Sequence, residues 1–371
     1  MRITGAKVFD VQEGFVEWEL CTDGDLISDR SIDGRMIDAS GCYVIPGLTD
    51  LHFHGCRGED FSDATPEGLQ IMAEYQLSRG VTQICPAGMT LVEAQLLRLC
   101  ANAADHKAAG RSGATLSGIQ LEGPFLSGAQ KGAQNGAWLR EPDIALFRRL
   151  QKAAGGLIKL VAVAPELPGG LDFIRAVGSE VGISLAHTMA DYDTALAAFQ
   201  AGARQVTHLY NGMLPLTHRA PGVVGAAFDS PDCRVELICD GVHIHPAVVR
   251  ATFQMFGQDR VILVSDSMRA AGMPDGDYTL GGQAVQVRGR HATLADGTLA
   301  GSVTDLMDCL RMAVAMGIPL TQAVKAAAVN PARAIGIYSR VGSLDVGKRA
   351  NIVILDENLE LRTVIYRGNP V

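Results

Sequence analysis

The sequence predicts an α/β protein: a (β/α)8 barrel with a small β-sandwich domain formed by the N- and C-terminal segments. From about Cys42 onward, short runs rich in Val, Ile and Leu alternate with longer segments whose apolar residues recur at helical spacing, a pattern typical of a parallel sheet. Eight such runs occur, the number that a barrel requires. The chain of 371 residues also exceeds the ~250 of one barrel, and its two ends do not follow the alternation.

The eight predicted barrel strands share a β-branched, apolar composition, and five of them end on a histidine or an acid. They are Tyr43–His52, Val81–Pro86, Leu116–Glu122, Leu157–Ala164, Gly182–His187, Arg204–His208, Arg234–Cys239 and Val261–Asp266. Helices are expected between them. Thr65 can cap one helix with Pro66 at its first position, and another ends on Gly202, a residue suited to a helix C-terminus.

The two ends of the chain are expected to pair as a small β-domain beside the barrel. This domain comprises residues 1–47 and 340–371, and residues 48–339 form the barrel. Short strands are indicated in both ends, with turns at Glu13-Gly14, Asp23-Gly24 and Asp33-Gly34. Residues 278–299 predict a β-like insertion in the barrel, with a turn at Asp296-Gly297.

The composition excludes several classes of protein. Apolar residues make up 47% of the chain and charged residues 19%, which argues against a disordered or coiled-coil chain. A formal net charge of −8 gives no general reason to approach nucleic acid or anionic lipid. No apolar run approaches a membrane span, no secretory signal is visible at the start, and the eight cysteines lack C-x-x-C spacing. We therefore expect a cytoplasmic protein with buried, reduced thiols and no nucleic-acid or membrane partner.

Histidines and acids at the ends of the predicted strands indicate the chemistry. His52 and His54 lie two residues apart, so that strand alternation points both imidazoles to one face. The same pair could also be a satisfied polar edge, and the motif alone does not decide between the two. His187, His208, Glu122 and Asp266 also follow strands, at the rim where barrel active sites are built. Such a set suits a hydrolytic zinc or similar divalent metal ion.

Several segments resemble the amidohydrolase superfamily, and within it the family of N-acetylglucosamine-6-phosphate deacetylases. The first-strand segment Val44–Gly58 (VIPGLTDLHFHGCRG) is similar to the superfamily pattern. The closer resemblance rests on six further segments, which extend over the chain from the third strand to beyond the last: Gln120–Phe125 (QLEGPF), Ala186–Thr188 (AHT), Thr207–Met213 (THLYNGM), Cys239–His243 (CDGVH), Leu263–Ser267 (LVSDS) and Ala295–Ser302 (ADGTLAGS).

The resemblance implies roles for particular residues. Glu122, His187 and His208 would hold the principal metal ion, and Asp266 would be the catalytic acid and base. His52 and His54 are both present, so that one or two ions are implied, zinc first and Fe²⁺ or another divalent ion as alternatives.

The substrate-binding residues are implied in the same way. Asn211, the Gly212 backbone, Arg219 and His243 would contact a sugar phosphate, with Arg219 and His243 reaching across a homodimer interface. Gln134 would lie near the acetyl group. Gln134 stands where some relatives have His, and Gly212 stands where Ala is common.

The implied reaction is the hydrolysis of the acetamide of N-acetylglucosamine 6-phosphate to glucosamine 6-phosphate and acetate, a step of amino-sugar catabolism. The small-molecule partner is then a phosphorylated amino sugar. Three alternatives stay open. One is a deacetylase for N-acetylgalactosamine 6-phosphate, or a related amide hydrolase, on the same scaffold. Another is a catalytically silent barrel that serves in assembly. The third, nucleic-acid binding, is disfavoured by the acidic balance.

Overall fold

Eight parallel strand positions form the barrel, which confirms the predicted fold class. A computed structural model describes residues 1–30 and 34–371 of the chain. The barrel strands are Leu48–Asp50, Val81–Ile84, Thr115–Leu116 with Ile119–Leu121, Ile158–Val163, Gly182–Leu185, Gln205–Val206, Arg234–Ile238 and Val261–Val264, and Ala87–Gly88 extends the second position. The Asp266 backbone N–H donates to the His52 carbonyl at 2.8 Å, and this bond joins the last strand to the first.

The first predicted strand is wrong in one respect, because the run from Tyr43 to His52 serves two sheets. Tyr43–Pro46 belongs to the small domain, whereas Leu48–Asp50 enters the barrel. The chain changes sheet at Gly47, which packs against Thr82 so closely that an added Cβ would lie 2.4 Å from its side chain. The run from Leu116 to Glu122 is also divided: Thr115–Leu116 pairs with the strand before it, and Ile119–Leu121 pairs with the strand after it.

Helices surround the barrel, and both helix ends marked in the sequence form as expected. Thr65 accepts a hydrogen bond from the Gly68 backbone N–H at the start of Pro66–Ser78. Tyr192–Ala201 ends at Gly202, which has a φ of +131°. The other α-helices are Glu93–Ala109, Ile144–Ala153, Gly170–Val177, Gly222–Phe228, Pro246–Phe256, Leu306–Ala315, Leu320–Val324 and Asn330–Ala334; Lys325–Val329 is a π-helix, and Phe61–Asp63, Gly128–Gln130 and Gly136–Trp138 are 3₁₀-helices.

The two ends of the chain meet in two β-sheets beside the barrel. One sheet has the order Leu26–Ser28, Leu20–Asp23, Arg2–Thr4 and Met36–Asp38. The other has the order Asn369–Pro370, Leu361–Tyr366, Ile352–Leu355, Tyr43–Pro46, Lys7–Asp10 and Gly14–Glu17. Apolar residues from both ends form one core between the sheets. We therefore propose residues 1–47 and 340–371 as one domain and residues 48–339 as the other. The predicted turn at Asp33-Gly34 falls partly on residues 31–33, outside the described residues.

The β insertion forms a separate sheet at the barrel mouth. Its strands are Gly276–Leu280, Gln283–Arg288 and His291–Thr293, and a turn follows at Asp296-Gly297. A short antiparallel pair, Gly55–Cys56 with Glu59–Asp60, lies after the first barrel strand. All eight cysteines fall in the described residues and are unpaired, seven of them buried. Among the described helices, none combines the length and apolar character needed to cross a bilayer.

Candidate active site

Five barrel strands end on the six side chains that the sequence marked as metal ligands or acid. His52 and His54 follow Leu48–Asp50, and the other four follow the third, fifth, sixth and eighth strands: Glu122, His187, His208 and Asp266. Each of the six is less than one-tenth exposed. Because parallel strands all end at the same rim, the barrel gathers side chains that lie far apart in the sequence.

Three of these residues leave their strands in a left-handed backbone conformation. The φ angles of His187, His208 and Asp266 are +45°, +31° and +47°. Such angles are uncommon for residues other than glycine, and they occur where surrounding structure holds a functional side chain in place. Each of the three lies two residues beyond the end of its strand.

The six side chains form two groups of three. Within each group, the ligand atoms all lie within 4.8 Å of one another. Glu122, His187 and His208 form the first group, and His52, His54 and Asp266 form the second. In the first, Glu122 Oε1 lies 2.9 Å from His208 Nε2 and 3.2 Å from His187 Nε2. Glu122 Oε2 lies 3.2 Å from His54 Nε2, so this carboxylate lies between the two groups.

The outer ring nitrogen of every imidazole has an acceptor. His187 Nδ1 lies 2.8 Å from the Gln130 carbonyl, His208 Nδ1 lies 3.1 Å from the Asn211 carbonyl, and His54 Nδ1 lies 3.0 Å from the Ala87 carbonyl. His52 Nδ1 lies 3.1 Å from Glu236 Oε2. A carbonyl or carboxylate can only accept, so each Nδ1 must donate. In the neutral rings the four Nε2 lone pairs therefore face the same small volume.

Nitrogen lone pairs that face one another repel, and a positive charge between them would stabilise this arrangement. His208 Nε2 lies 3.2 Å from His187 Nε2, and His52 Nε2 lies 3.4 Å from His54 Nε2. The buried Asp266 Oδ1 faces the same volume, 3.3 Å from His54 Nε2 and 3.6 Å from His52 Nε2. Neutral imidazole and carboxylate are the ligands that zinc and similar divalent cations bind, so the donor set fits a metal ion.

Protons and a cation compete for these imidazole nitrogens. Burial lowers the pKa of His52, but the facing carboxylates of Glu122 and Asp266 outweigh burial and raise that pKa to about 9. Burial would raise the pKa of Glu122, yet the surrounding imidazoles hold it well below its usual value. A metal ion that enters this site must therefore displace protons from the histidines.

Glu236 is a functional residue that the sequence reasoning missed. It lies in the strand Arg234–Ile238 and has no exposed surface. Its Oε2 accepts from His52 Nδ1, and its Oε1 accepts from Gln205 Nε2 at 2.5 Å. Glu236 therefore fixes the orientation of a ligand ring without reaching the mouth itself. The available signal was an acid inside the apolar run Val235–Ile238, since a buried carboxylate in a barrel strand needs partners.

A cavity of about 240 Å³ opens above the two groups. Four of the five residues that the sequence assigned to substrate line it: Gln134, Asn211, Gly212 and His243. Arg219 does not line the cavity of its own chain and lies exposed in the loop before Gly222–Phe228. The β insertion and the loop after it supply part of the wall through Leu280, Thr298 and Leu299, which the sequence reasoning did not foresee.

Two of the lining side chains are held by specific partners. Gln134 Nε2 donates to Glu122 Oε2 at 2.7 Å, and Gln134 Oε1 accepts from the Thr90 backbone N–H at 2.7 Å. His243 Nδ1 donates to Asp240 Oδ2 at 2.7 Å, which leaves its other nitrogen for a ligand. Burial lowers the pKa of His243, but the hydrogen bond to Asp240 outweighs burial and raises it. The raised pKa favours the protonated form of His243, which donates from both ring nitrogens.

Comparisons with known proteins agree with this geometry. The sequence profile of the amidohydrolase family matches residues 43–371. An N-acetylglucosamine-6-phosphate deacetylase from Bacillus subtilis is 42% identical over 331 residues, which cover 88% of this chain and 84% of the relative. An N-acetylgalactosamine-6-phosphate deacetylase from Escherichia coli O157:H7 is 35% identical, with 93% of this chain and 92% of the relative covered.

One solved structure bears directly on the cavity. It is a mutant N-acetyl-D-glucosamine-6-phosphate deacetylase from Mycobacterium smegmatis in complex with N-acetyl-D-glucosamine-6-phosphate. This chain superposes on it with a TM-score of 0.91 at 34% identity, covering 100% of this chain and 98% of the other.

Proposed function

The chain belongs to the amidohydrolase family, and on that premise we propose that it hydrolyses the acetamide of N-acetylglucosamine 6-phosphate to glucosamine 6-phosphate and acetate. The observation that carries the proposal is the convergence of Glu122, His187, His208 and Asp266 on one cavity that also exposes sugar-binding groups. An amide is a poor electrophile with a poor leaving group, so its hydrolysis needs an activated water, a polarised carbonyl and a proton donor. Relatives with this activity support the choice of substrate.

The metal ion is assigned to the two groups at the mouth. Glu122, His187 and His208 would hold the principal ion, and His52 and His54 would hold a second. We propose zinc, with Fe²⁺ or another divalent ion as the alternative, because the donors are nitrogen and oxygen atoms. When bound, the ion would supply Lewis acidity to the carbonyl oxygen and lower the pKa of water.

Asp266 is proposed to move the proton. Burial would raise the pKa of Asp266, but His52 and His54 lower it below its usual value, so the carboxylate is ionised near neutral pH. Its Oδ1 lies 3.3 Å from His54 Nε2 and faces the cavity, where it can accept a proton from water. The same carboxyl can then return that proton to the departing amine.

The sugar is oriented by groups further from the reacting carbon. We assign its phosphate to Asn211, the Gly212 backbone N–H, His243 and Arg219. Because Arg219 does not line its own cavity, we propose that it acts across a homodimer interface, whereas His243, which lines the cavity of its own chain, acts there instead of across the interface as expected. The second N–H of Gln134 is proposed to contact the acetyl group, and His243 can stabilise the negative charge that develops on the carbonyl oxygen.

We place the protein in the cytoplasm, since phosphorylated sugars and unpaired cysteines belong to that compartment.

Acetate release from purified, metal-loaded protein tests the assignment. N-acetylglucosamine 6-phosphate should give the highest kcat/KM, ahead of its galactose epimer and of the unphosphorylated sugar. A preference for the galactose epimer would replace this proposal with the alternative deacetylase. The absence of both bound metal and hydrolysis would favour a catalytically silent barrel. Elemental analysis of protein purified without added metal identifies the ion and its stoichiometry.

A further inference from the structure

A second polar cavity, of about 310 Å³, lies at the end of the barrel opposite the mouth. Three of its lining residues fix that position. Thr115 is the first residue of a barrel strand, and Lys107 lies in the last turn of the helix Glu93–Ala109, which runs back from the mouth. Arg349 lies three residues before Ile352, the first residue of the strand Ile352–Leu355 in the small β-domain. We call this space, between the barrel floor and the small domain, the basal cavity.

Positive charge is concentrated in the basal cavity. Four cations line it, namely Lys107, Arg340, Arg349 and Arg367, against a single acid, Asp25. Asp25 forms an ion pair with Arg349. The lining side chains together carry three net positive charges in a chain whose formal net charge is −8. General surface composition therefore does not account for the cluster.

Two of these cations, Arg340 and Arg367, make few contacts with other residues. Within residues 1–30 and 34–371, the Arg340 guanidinium makes no hydrogen bond or ion pair. Arg367 has only a hydrogen bond of 3.4 Å to Thr115 Oγ1 and a contact with the Tyr366 ring. Both side chains are exposed, so solvent surrounds much of each guanidinium group. Both guanidinium groups remain available to a ligand.

Buried amide groups complete the cavity wall. Gln83 and Asn351 are each 5% exposed and line the same space. Gln83 Oε1 accepts from Ser117 Oγ at 2.6 Å, and Asn351 Oδ1 accepts from the Arg367 backbone N–H at 3.0 Å. Their amide nitrogens have no acceptor in the described part of the chain. Neither nitrogen is among the fully buried polar atoms that lack a partner, so both are open to the cavity and can donate to a ligand there.

The cluster also carries an electrostatic cost. Burial lowers the pKa of the Lys107 ammonium, and the nearby Arg340 and Arg367 lower it further. Like charges held together in one cavity repel each other and destabilise the folded state. An anion bound among them would remove this repulsion.

We propose that the basal cavity is a second ligand site, separate from the mouth, that binds a phosphate dianion. Guanidinium groups bind phosphate oxygens in bidentate fashion, and the Gln83 and Asn351 amides can donate to the remaining oxygens. The phosphate is either free inorganic phosphate or the phosphate group of a sugar ester, for which the cavity has room. Binding there does not depend on the deacetylase reaction.

Calorimetric titration of the full chain with inorganic phosphate tests the site. The double variant Arg340→Gln/Arg367→Gln should weaken one binding event about tenfold or more, because two charged contacts are lost. Any phosphate that binds at the mouth binds equally to the wild type and to the double variant, so it does not affect the difference between their titrations. Arg98→Gln is the matched control for the single variant Arg340→Gln, because each removes one positive charge and Arg98 is exposed on the same helix as Lys107. The single variant Arg340→Gln repeats the test with no loss of an intramolecular contact.

The outcomes separate the ligand sources. A parallel titration with glucose 6-phosphate, which has no amide to hydrolyse, shows whether the ester binds more tightly than free phosphate at the Arg340-dependent site; either order supports the proposal. Crystals soaked in arsenate should show anomalous scattering between Arg340 and Arg367. Unchanged phosphate binding in the double variant, or equal weakening in Arg98→Gln, overturns the proposal. Binding of a heparin fragment without binding of either phosphate would also overturn it and indicate a surface for long polyanions.

Discussion

His52 Nδ1 lies 3.1 Å from Glu236 Oε2, although 184 residues separate the two along the chain. Neither side chain has exposed surface. This pair decides which nitrogen of His52 faces the mouth, because the carboxylate can only accept and the ring must donate from Nδ1. A residue with no contact to substrate thus sets the direction of a metal-ligand lone pair.

Glu236→Gln is expected to weaken metal binding at the group of His52, His54 and Asp266 by about 10- to 100-fold. An amide has one oxygen where the carboxylate has two, and Glu236 accepts from both His52 and Gln205. Metal content after dialysis against a graded chelator measures the loss. Glu357→Gln is the control, because Glu357 is exposed. Full metal content in Glu236→Gln would contradict the orienting role.

Asp266→Asn should retain the principal metal ion and lose about 10²- to 10⁴-fold in kcat. The amide cannot accept a proton from water, whereas Glu122, His187 and His208 are unaltered. The acetate-release rate and the metal content, measured on the same preparation, check both halves of this expectation. A rate near that of the wild type would remove Asp266 from proton transfer.

Gly212→Ala is expected to displace His187 and lower both metal content and kcat. Gly212 has a φ of +61°, and an added Cβ would lie 2.8 Å from His187 Nδ1. The left-handed backbone alone costs an alanine about 1 kcal/mol. Gly24→Ala isolates that backbone cost, since Gly24 has a φ of +56° and an added Cβ there would meet nothing within 4 Å. If both variants lose activity equally, the contact with His187 is not the cause.

Asp240→Asn should shift the pH dependence of KM to lower pH. The Asp240 carboxylate raises the pKa of His243, so the protonated ring persists to a higher pH than an isolated histidine would. We expect KM to rise as the pH climbs through the His243 pKa, because a cation facing the sugar phosphate is lost. In Asp240→Asn this rise should begin earlier, and NMR titration of the His243 ring reports the same shift.

The Asp240–His243 pair also contributes to the stability of the folded protein, and this contribution decreases as the pH rises. Because the folded-state pKa of His243 is raised, its stabilisation is complete below the unfolded pKa and disappears as the pH rises through the folded pKa. Thermal melts across that window should lose this dependence in Asp240→Asn. Asp105→Asn, at an exposed helix position, should behave as the wild type.

Arg219→Ala should raise KM for the phosphorylated sugar about tenfold and leave kcat nearly unchanged, because a cation contact contributes to ground-state binding. Arg219 does not line the cavity of its own chain, so such an effect requires a second copy. Sedimentation analysis should then show a dimer. An unchanged KM would exclude Arg219 from the phosphate site.

Much of the barrel was predictable because its signals are local. Alternation of β-branched runs with helical periodicity identified all eight strand positions, and Thr65 and Gly202 marked their helix ends correctly. The domain boundary was expected at residue 47, but the pairing partner of Tyr43–Pro46 was not predictable. Nothing in the run from Tyr43 to His52 tells that its first half pairs with Ile352–Leu355 from the other end of the chain.

The residue types of the site were readable in the same way, as histidines and acids at strand ends. The geometry of the site could not be predicted from the sequence. The sequence placed Glu122, His187, His208 and Asp266 on one rim, whereas the two-group arrangement, with Glu122 between the groups, appears only when the barrel closes. The partners Glu236 and Asp240 were missed because a buried acid has no sequence signal for the imidazole that it contacts.

The sequence by itself determined the type of each element and the chemical kind of ligand at each strand end, since both depend on residues within a few positions. Tertiary structure alone decided which nitrogen of each imidazole faces the mouth, where Arg219 lies, and that Lys107, Arg340 and Arg367 share a cavity. The physical reason is the distance along the chain over which each kind of interaction acts. Hydrophobic periodicity acts over one or two turns of chain, whereas hydrogen bonds and charge interactions depend on distances in space that exist only in the closed barrel.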